Sequence, residues 1–233
     1  MKRRQTSTDY NPLNQIELSK ITAIHEAGHA AAIYLGNKQK QLPPVYFQIF
    51  INKLNSGIKL AVCSCGIGNS CTKCFTKIEG GRLIHTLPSS VEAAICDFPE
   101  IQKQAYQLAF EADIINLLVG PLAEANYVAL RDDEPINPQL VNLNALHYYG
   151  GSGDLETINE YLDCLSTDGR CRDNKLSELF LAAFDFINNK SNWFAIMALA
   201  EYILAGSNSR LDCEEIMAVL DSHHFITRKN SWC

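Results

Sequence analysis

Five consecutive residues, His25-Glu26-Ala27-Gly28-His29, carry the strongest chemical signal in the sequence. On an α-helix, positions i and i+4 share a face one turn apart, so both imidazoles point at a single ion. Zinc suits that arrangement, because imidazole nitrogen binds it at about 2.0–2.1 Å and a tetrahedral shell leaves two further places. Glu26, one residue on, is the expected general base, taking a proton from a water as that water attacks a carbonyl. Ala27, Gly28, Ala30, Ala31 and Ala32 let neighbouring elements approach such a helix closely. Gly28 costs about 1 kcal/mol relative to alanine in a helix interior, which close packing would justify.

A third protein ligand must come from far along the chain, because positions 32 and 35 are Ala and Leu and the HExxHxxGxxH continuation is absent. His85, His147, Asp154 and Glu124 are candidates. Asp154 follows Gly150-Gly151-Ser152-Gly153, a turn that could aim a carboxylate into a cleft; equally, aspartate is an ordinary helix N-cap. The residues alone leave that choice open.

A second constellation is Cys63, Cys65, Cys71 and Cys74, four of the nine cysteines within twelve positions. Four thiolates suit one tetrahedral ion, a structural zinc; a disulfide or redox couple and unlinked thiols are the other readings. Nine is odd, so complete pairing within one chain is impossible. Cys96, Cys164, Cys213 and Cys233 read as plain core or surface cysteines.

The elements that must position these residues follow from periodicity. Residues 16–35 have the apolar spacing of a helix, with Gly36-Asn37 as its expected left-handed stop. Residues 45–51 and 58–62 are rich in β-branched and aromatic types around a turn at 55–57, predicting a hairpin, and 77–87 returns as a short strand. Helical spacing then dominates, near 90–96, 99–130, 154–165, 173–189, 191–205 and 212–222, with Gly120-Pro121 predicted to interrupt or kink the second. Phe180, Leu181, Phe184, Trp193 and Phe194 read as helix-bundle core. Residues 1–14 read as a flexible lead-in and 15–233 as one domain, with a cysteine-rich loop at 63–74.

Hydrophobic residues make up 47% and charged residues 20% of the 233, enough to bury a real core. The net charge of −6 argues against general nucleic-acid binding, which needs a basic surface. No apolar run reaches the roughly 18 residues of a membrane span and no apolar signal segment follows the basic tip, so a cytoplasmic location is expected.

At this point the sequence resembles a known family. His25-Glu26-Ala27-Gly28-His29-Ala30 matches the HEAGHA of the FtsH family of ATP-dependent zinc proteases. Residues 118–124 (LVGPLAE) resemble that family's LLGGRAAEE stretch, residues 148–155 (YYGGSGDL) align without gaps to TTGASNDL, and residues 209–216 (SRLDCEEI) are similar to ETLDGEEI. The likeness spans nearly residues 15–222. It implies a catalytic zinc held by His25, His29 and Asp154, with Glu26 as base and Glu124 behind a histidine ring as an orienting group. It also implies hexameric relatives that carry an ATPase module and usually membrane helices. This chain departs from that pattern: it has no GxxxxGK[ST] phosphate loop, Pro121 stands for an arginine, Tyr148-Tyr149 for two threonines, and the cysteine loop has no counterpart.

The expected fold is therefore mainly α with a small β-sheet (α+β), a zincin-like HExxH helix plus a C-terminal helical bundle. The expected activity is zinc-dependent hydrolysis of peptide bonds in flexible or unfolded polypeptides, acting alone or with a separate ATPase or related protease that delivers substrate. The contrasting readings are a catalytically inactive homologue acting as a binding or adaptor protein, and a redox or metal sensor built on the cysteine loop.

Overall fold

The structure, a computed structural model, describes residues 12–51, 76–138, 141–165 and 168–230. It is mainly helical with a small antiparallel sheet, an α+β arrangement. Helix α1 (Pro12–Ala31) carries the histidines and passes without a break through a π-helical turn (Ala32–Gly36) into α2 (Asn37–Gln39). The expected stop at Gly36-Asn37 is not there: both residues are helical, with φ of −65° and −67°. The chain leaves the helix at Gln41 instead, in the left-handed region at φ 57°. Burial explains the difference, because Leu35, Gly36 and Asn37 are all packed inside and the interior holds them helical.

Strand β1 (Phe47–Ile51) is the middle strand, between β2 (Thr76–Gly80) and β3 (Arg210–Leu211), and both pairings are antiparallel. Phe47, Ile49 and Ile51 alternate inward and are buried, which is the period-2 pattern of a half-covered sheet. Full burial of each such side chain stabilises the fold by about 1.5–3 kcal/mol. The expected partner strand at 58–62 and the cysteine loop at 63–74 lie outside the described residues.

Next come α3 (Val91–Ile95), capped by the Ser90 side chain, and the long α4 (Glu100–Arg131). The expected interruption at Gly120-Pro121 does not end α4, which continues for ten residues beyond that pair. A 3-10 turn (Leu143–Tyr148) leads into α5 (Ser152–Leu165), then α6 (Gly169–Asn188), α7 (Lys190–Ala205) and α8 (Cys213–Asn230).

Helix α1 packs against α4 on one side and α7 on the other, with β2 across it. Its central turn therefore sits deep in the core: Ala23, Ile24, Ala27, Ala30 and Ala31 are fully buried. At Gly28 the small side chain is required, since a methyl there would lie 2.8 Å from Ala123 Cβ of α4. Phe180 and Phe184 join the core as expected, but Leu181 and Phe194 do not, being 51% and 55% exposed on the outer faces of α6 and α7. Among the described residues, no helix is long and apolar enough to cross a membrane.

Candidate metal centre

His25 and His29 project from the buried face of α1 with their rings edge to face, centroids 4.8 Å apart. Their Nε2 atoms approach to 3.1 Å. Asp154, in the first turn of α5, straddles the pair: Oδ2 lies 3.3 Å from His25 Nε2 and Oδ1 lies 3.4 Å from His29 Nε2. Ligands about 2.05 Å from a tetrahedral zinc are separated by about 3.3 Å. The Nε2–Nε2 distance and the two nitrogen–carboxylate distances, which end on different Asp154 oxygens, fall close to that length. The three residues form a group that could hold a metal ion, the one such group among the described residues.

The far side of each ring fixes which nitrogen faces the centre. His29 Nδ1 lies 2.8 Å from the Asn116 carbonyl, which only accepts, so Nδ1 carries the hydrogen and Nε2 presents a lone pair. His25 Nδ1 faces Glu124 Oε2 at 3.4 Å, and Glu124 is itself buried on α4. That carboxylate favours the same tautomer. Two lone pairs facing each other at 3.1 Å repel unless a proton or a metal cation lies between them.

Charge tells the same story. Burial opposes a proton on His25, but Asp154 and Glu124 more than offset it and hold its pKa well above the ordinary value. Burial likewise opposes a proton on His29, and Asp154 raises its pKa nonetheless. Burial pushes Asp154 up, while His29 and His25 overcome that and hold its carboxyl well below the usual carboxylate range. The site is thus an anionic pocket built to surround positive charge.

Glu26 points from α1 toward the sheet, where Oε2 accepts the Ile78 N–H of β2 at 2.7 Å. Burial raises its pKa, opposed by the neighbouring His25 and His29, and a raised carboxylate pKa is what a general base needs. The Ile78 N–H is outside the β1 ladder, so β2 turns its outer edge toward Glu26.

Two glycines make room. A methyl at Gly120 would lie 2.2 Å from His29 Nε2, so the ring lies against bare α4 backbone. Gly150 has φ +76°, and a methyl there would lie 2.9 Å from Glu124 Oε2 and 3.2 Å from His25 Nδ1. The turn before Asp154 therefore closes directly over the His25–Glu124 pair.

The structure brings His25, Glu26, His29, Glu124 and Asp154 together. It leaves out His85 and His147, two of the sequence's candidates for third ligand. The sequence reading missed the Asn116 carbonyl, the Ile78 N–H and the bare backbone at Gly120; only the glycine leaves a signal in the sequence. The four candidate thiols Cys63, Cys65, Cys71 and Cys74 lie outside the described residues, while Cys96, Cys164, Cys171 and Cys213 are free. Comparison with protein-family models, curated proteins and solved structures finds no match to this chain.

Proposed function

We propose that the chain is a zinc-dependent metalloendopeptidase that cleaves flexible or unfolded polypeptide. The observation that carries this reading is the convergence of His25 Nε2, His29 Nε2 and the Asp154 carboxylate, with the two nitrogens 3.1 Å apart and facing Asp154 Oδ2 and Oδ1 at 3.3 and 3.4 Å, a group that could hold one ion. Such a three-ligand set leaves a fourth position for chemistry, as catalytic rather than structural zinc sites do. A zinc ion held there supplies Lewis acidity, activating water and polarising a carbonyl.

Within that frame the chain's own residues divide the work. His25 and His29 offer Nε2, kept in the right tautomer by Glu124 and the Asn116 carbonyl. Asp154 adds the negative charge that makes the site favour a cation. Glu26 holds the proton taken from water and passes it to the leaving amine, which its burial-raised pKa favours. The outer edge of β2 offers backbone groups to an extended segment laid alongside it, and a peptide must be unfolded to lie that way. This favours flexible polypeptide as the substrate class, reached directly or delivered by a separate ATPase.

The test is turnover of casein or a peptide library by the purified chain, with and without chelator, for wild type and Glu26→Gln. Expected is activity that chelation abolishes and readdition of zinc restores. Glu26→Gln should lower turnover by about 10²–10⁴-fold while still binding zinc. Full activity in Glu26→Gln sinks the mechanism. Zinc binding with no hydrolysis by wild type favours the binding or adaptor reading.

A further inference from the structure

Proline inside a helix is the most costly residue for that position, because it lacks an N–H and its ring crowds the carbonyl four residues earlier. Pro121 nevertheless sits within the 32-residue α4, buried, and α4 continues through it. Its neighbours account for its presence. A methyl on Gly151 would lie 2.8 Å from Pro121 Cβ and 3.1 Å from its Cγ, so the ring is seated directly against the Gly151 backbone. Gly151 is in turn the start of α5: its N–H donates to the Leu146 carbonyl at 3.1 Å and its carbonyl accepts the Leu155 N–H at 2.9 Å. Asp154 lies in that same first turn. Moving Gly151 moves the carboxylate that straddles the two imidazoles.

The residue before Pro121 lies against a histidine. Gly120 gives His29 its room, and the Asn116 carbonyl, beside the Leu117 carbonyl that the proline ring crowds, accepts from His29 Nδ1. One turn of α4 thus touches the surroundings of two of the three ligands, from opposite elements.

We infer that Pro121 is a positioning residue for the metal centre, its ring fixing the height of Asp154 over His25 and His29 through Gly151. The inference rests on the metal reading of the site above. Alanine at 121 restores the helix hydrogen bond and removes the ring, so helix stability and metal affinity should move in opposite directions. A proline retained for folding alone would move them together or leave the metal untouched.

The experiment measures zinc affinity by competition with a chelating indicator, the visible absorption of the cobalt-loaded protein, and the thermal midpoint of the metal-free protein, for wild type, Pro121→Ala, Gly151→Ala and His25→Ala. Expected for Pro121→Ala is a metal-free Tm higher by a few degrees together with zinc affinity weaker by about tenfold and an altered cobalt spectrum. Gly151→Ala, which presses on the same contact from the α5 side, should also weaken zinc and alter the spectrum. Wild-type affinity and spectrum in Pro121→Ala overturn the inference while leaving the metal reading intact. A wild-type chain that binds no more metal than His25→Ala overturns the metal reading, and this inference with it.

Discussion

Two carboxylates, the buried Asp113 and the partly buried Asp154, each reach across to another element and behave in opposite ways. Asp113 of α4 accepts the N–H groups of Leu83 and Ile84 at 2.9 and 2.8 Å and the Tyr161 hydroxyl at 3.0 Å. Burial raises its pKa, only partly countered by those donors. Asp154 faces the Nε2 atoms of two imidazoles whose charge and hydrogen bonds outweigh its burial. Its pKa moves down. Asp113 is complete: neutral donors satisfy it and it pins the segment after β2 onto α4. Asp154 and its histidines form a group that could hold a cation. A polar cluster satisfied by neutral donors holds a fold together, whereas two imidazoles and a carboxylate converging on one point gather positive charge.

The sharpest way to break that contrast is His25→Ala. Metal analysis of the wild type should give one equivalent of zinc that this variant loses altogether. Any equivalent that survives belongs elsewhere, and Cys63, Cys65, Cys71 and Cys74 are where to look for it. Retention of the full wild-type zinc content by His25→Ala would put the ion outside this triangle.

Asp113→Ala tests the other half. It leaves two peptide N–H groups and a phenol without their acceptor, each costing about 1–3 kcal/mol when buried, so urea unfolding should show a loss of about 3 kcal/mol or more. Zinc affinity should change much less than in His25→Ala. An affinity collapse with little loss of stability would reverse the roles assigned to the two carboxylates.

The smallest effect is in pH. The raised pKa values of His25 and His29 mean that the metal-free fold gains from their protonation. That gain is fully present below the unfolded value of about 6.5 and is lost as pH rises through the higher folded values. Zinc needs both rings neutral, so it competes with those protons and its advantage grows over the same interval. The increase in Tm on adding zinc should therefore widen steadily from pH 6 to pH 9. An increment that stops widening by about pH 7.5 would show that the histidines titrate as if exposed.

How much of this was legible in the sequence depended on where the chemistry resides. The pairing of His25 with His29 needs only helical spacing, and it was readable at once. Asp154 was one of several candidates on the residues alone; only the resemblance singled it out, and the geometry places it against both rings. The Asn116 carbonyl and Ile78 N–H were invisible because every residue but proline carries both groups, and only the packing of α4 and β2 against α1 selects these two. Gly36-Asn37 misled because a stop signal is a local preference, and burial between helices outweighs it. Leu181 and Phe194 misled in the opposite sense: apolar spacing does not say which side of a helix finds a partner. β3, two residues long, is defined by its partner strand rather than by any pattern of its own.

The ligands also enter the site at different times as the chain is made. Both histidines and Glu26 lie near the start, on one helix, while Asp154 arrives only with α5, after α4 is complete. A nascent chain ending before α5 holds two nitrogens and an acid but lacks the carboxylate that closes the triangle. The group that could hold an ion is therefore assembled only when α5 takes its place beside α1 and α4, late in the making of the chain.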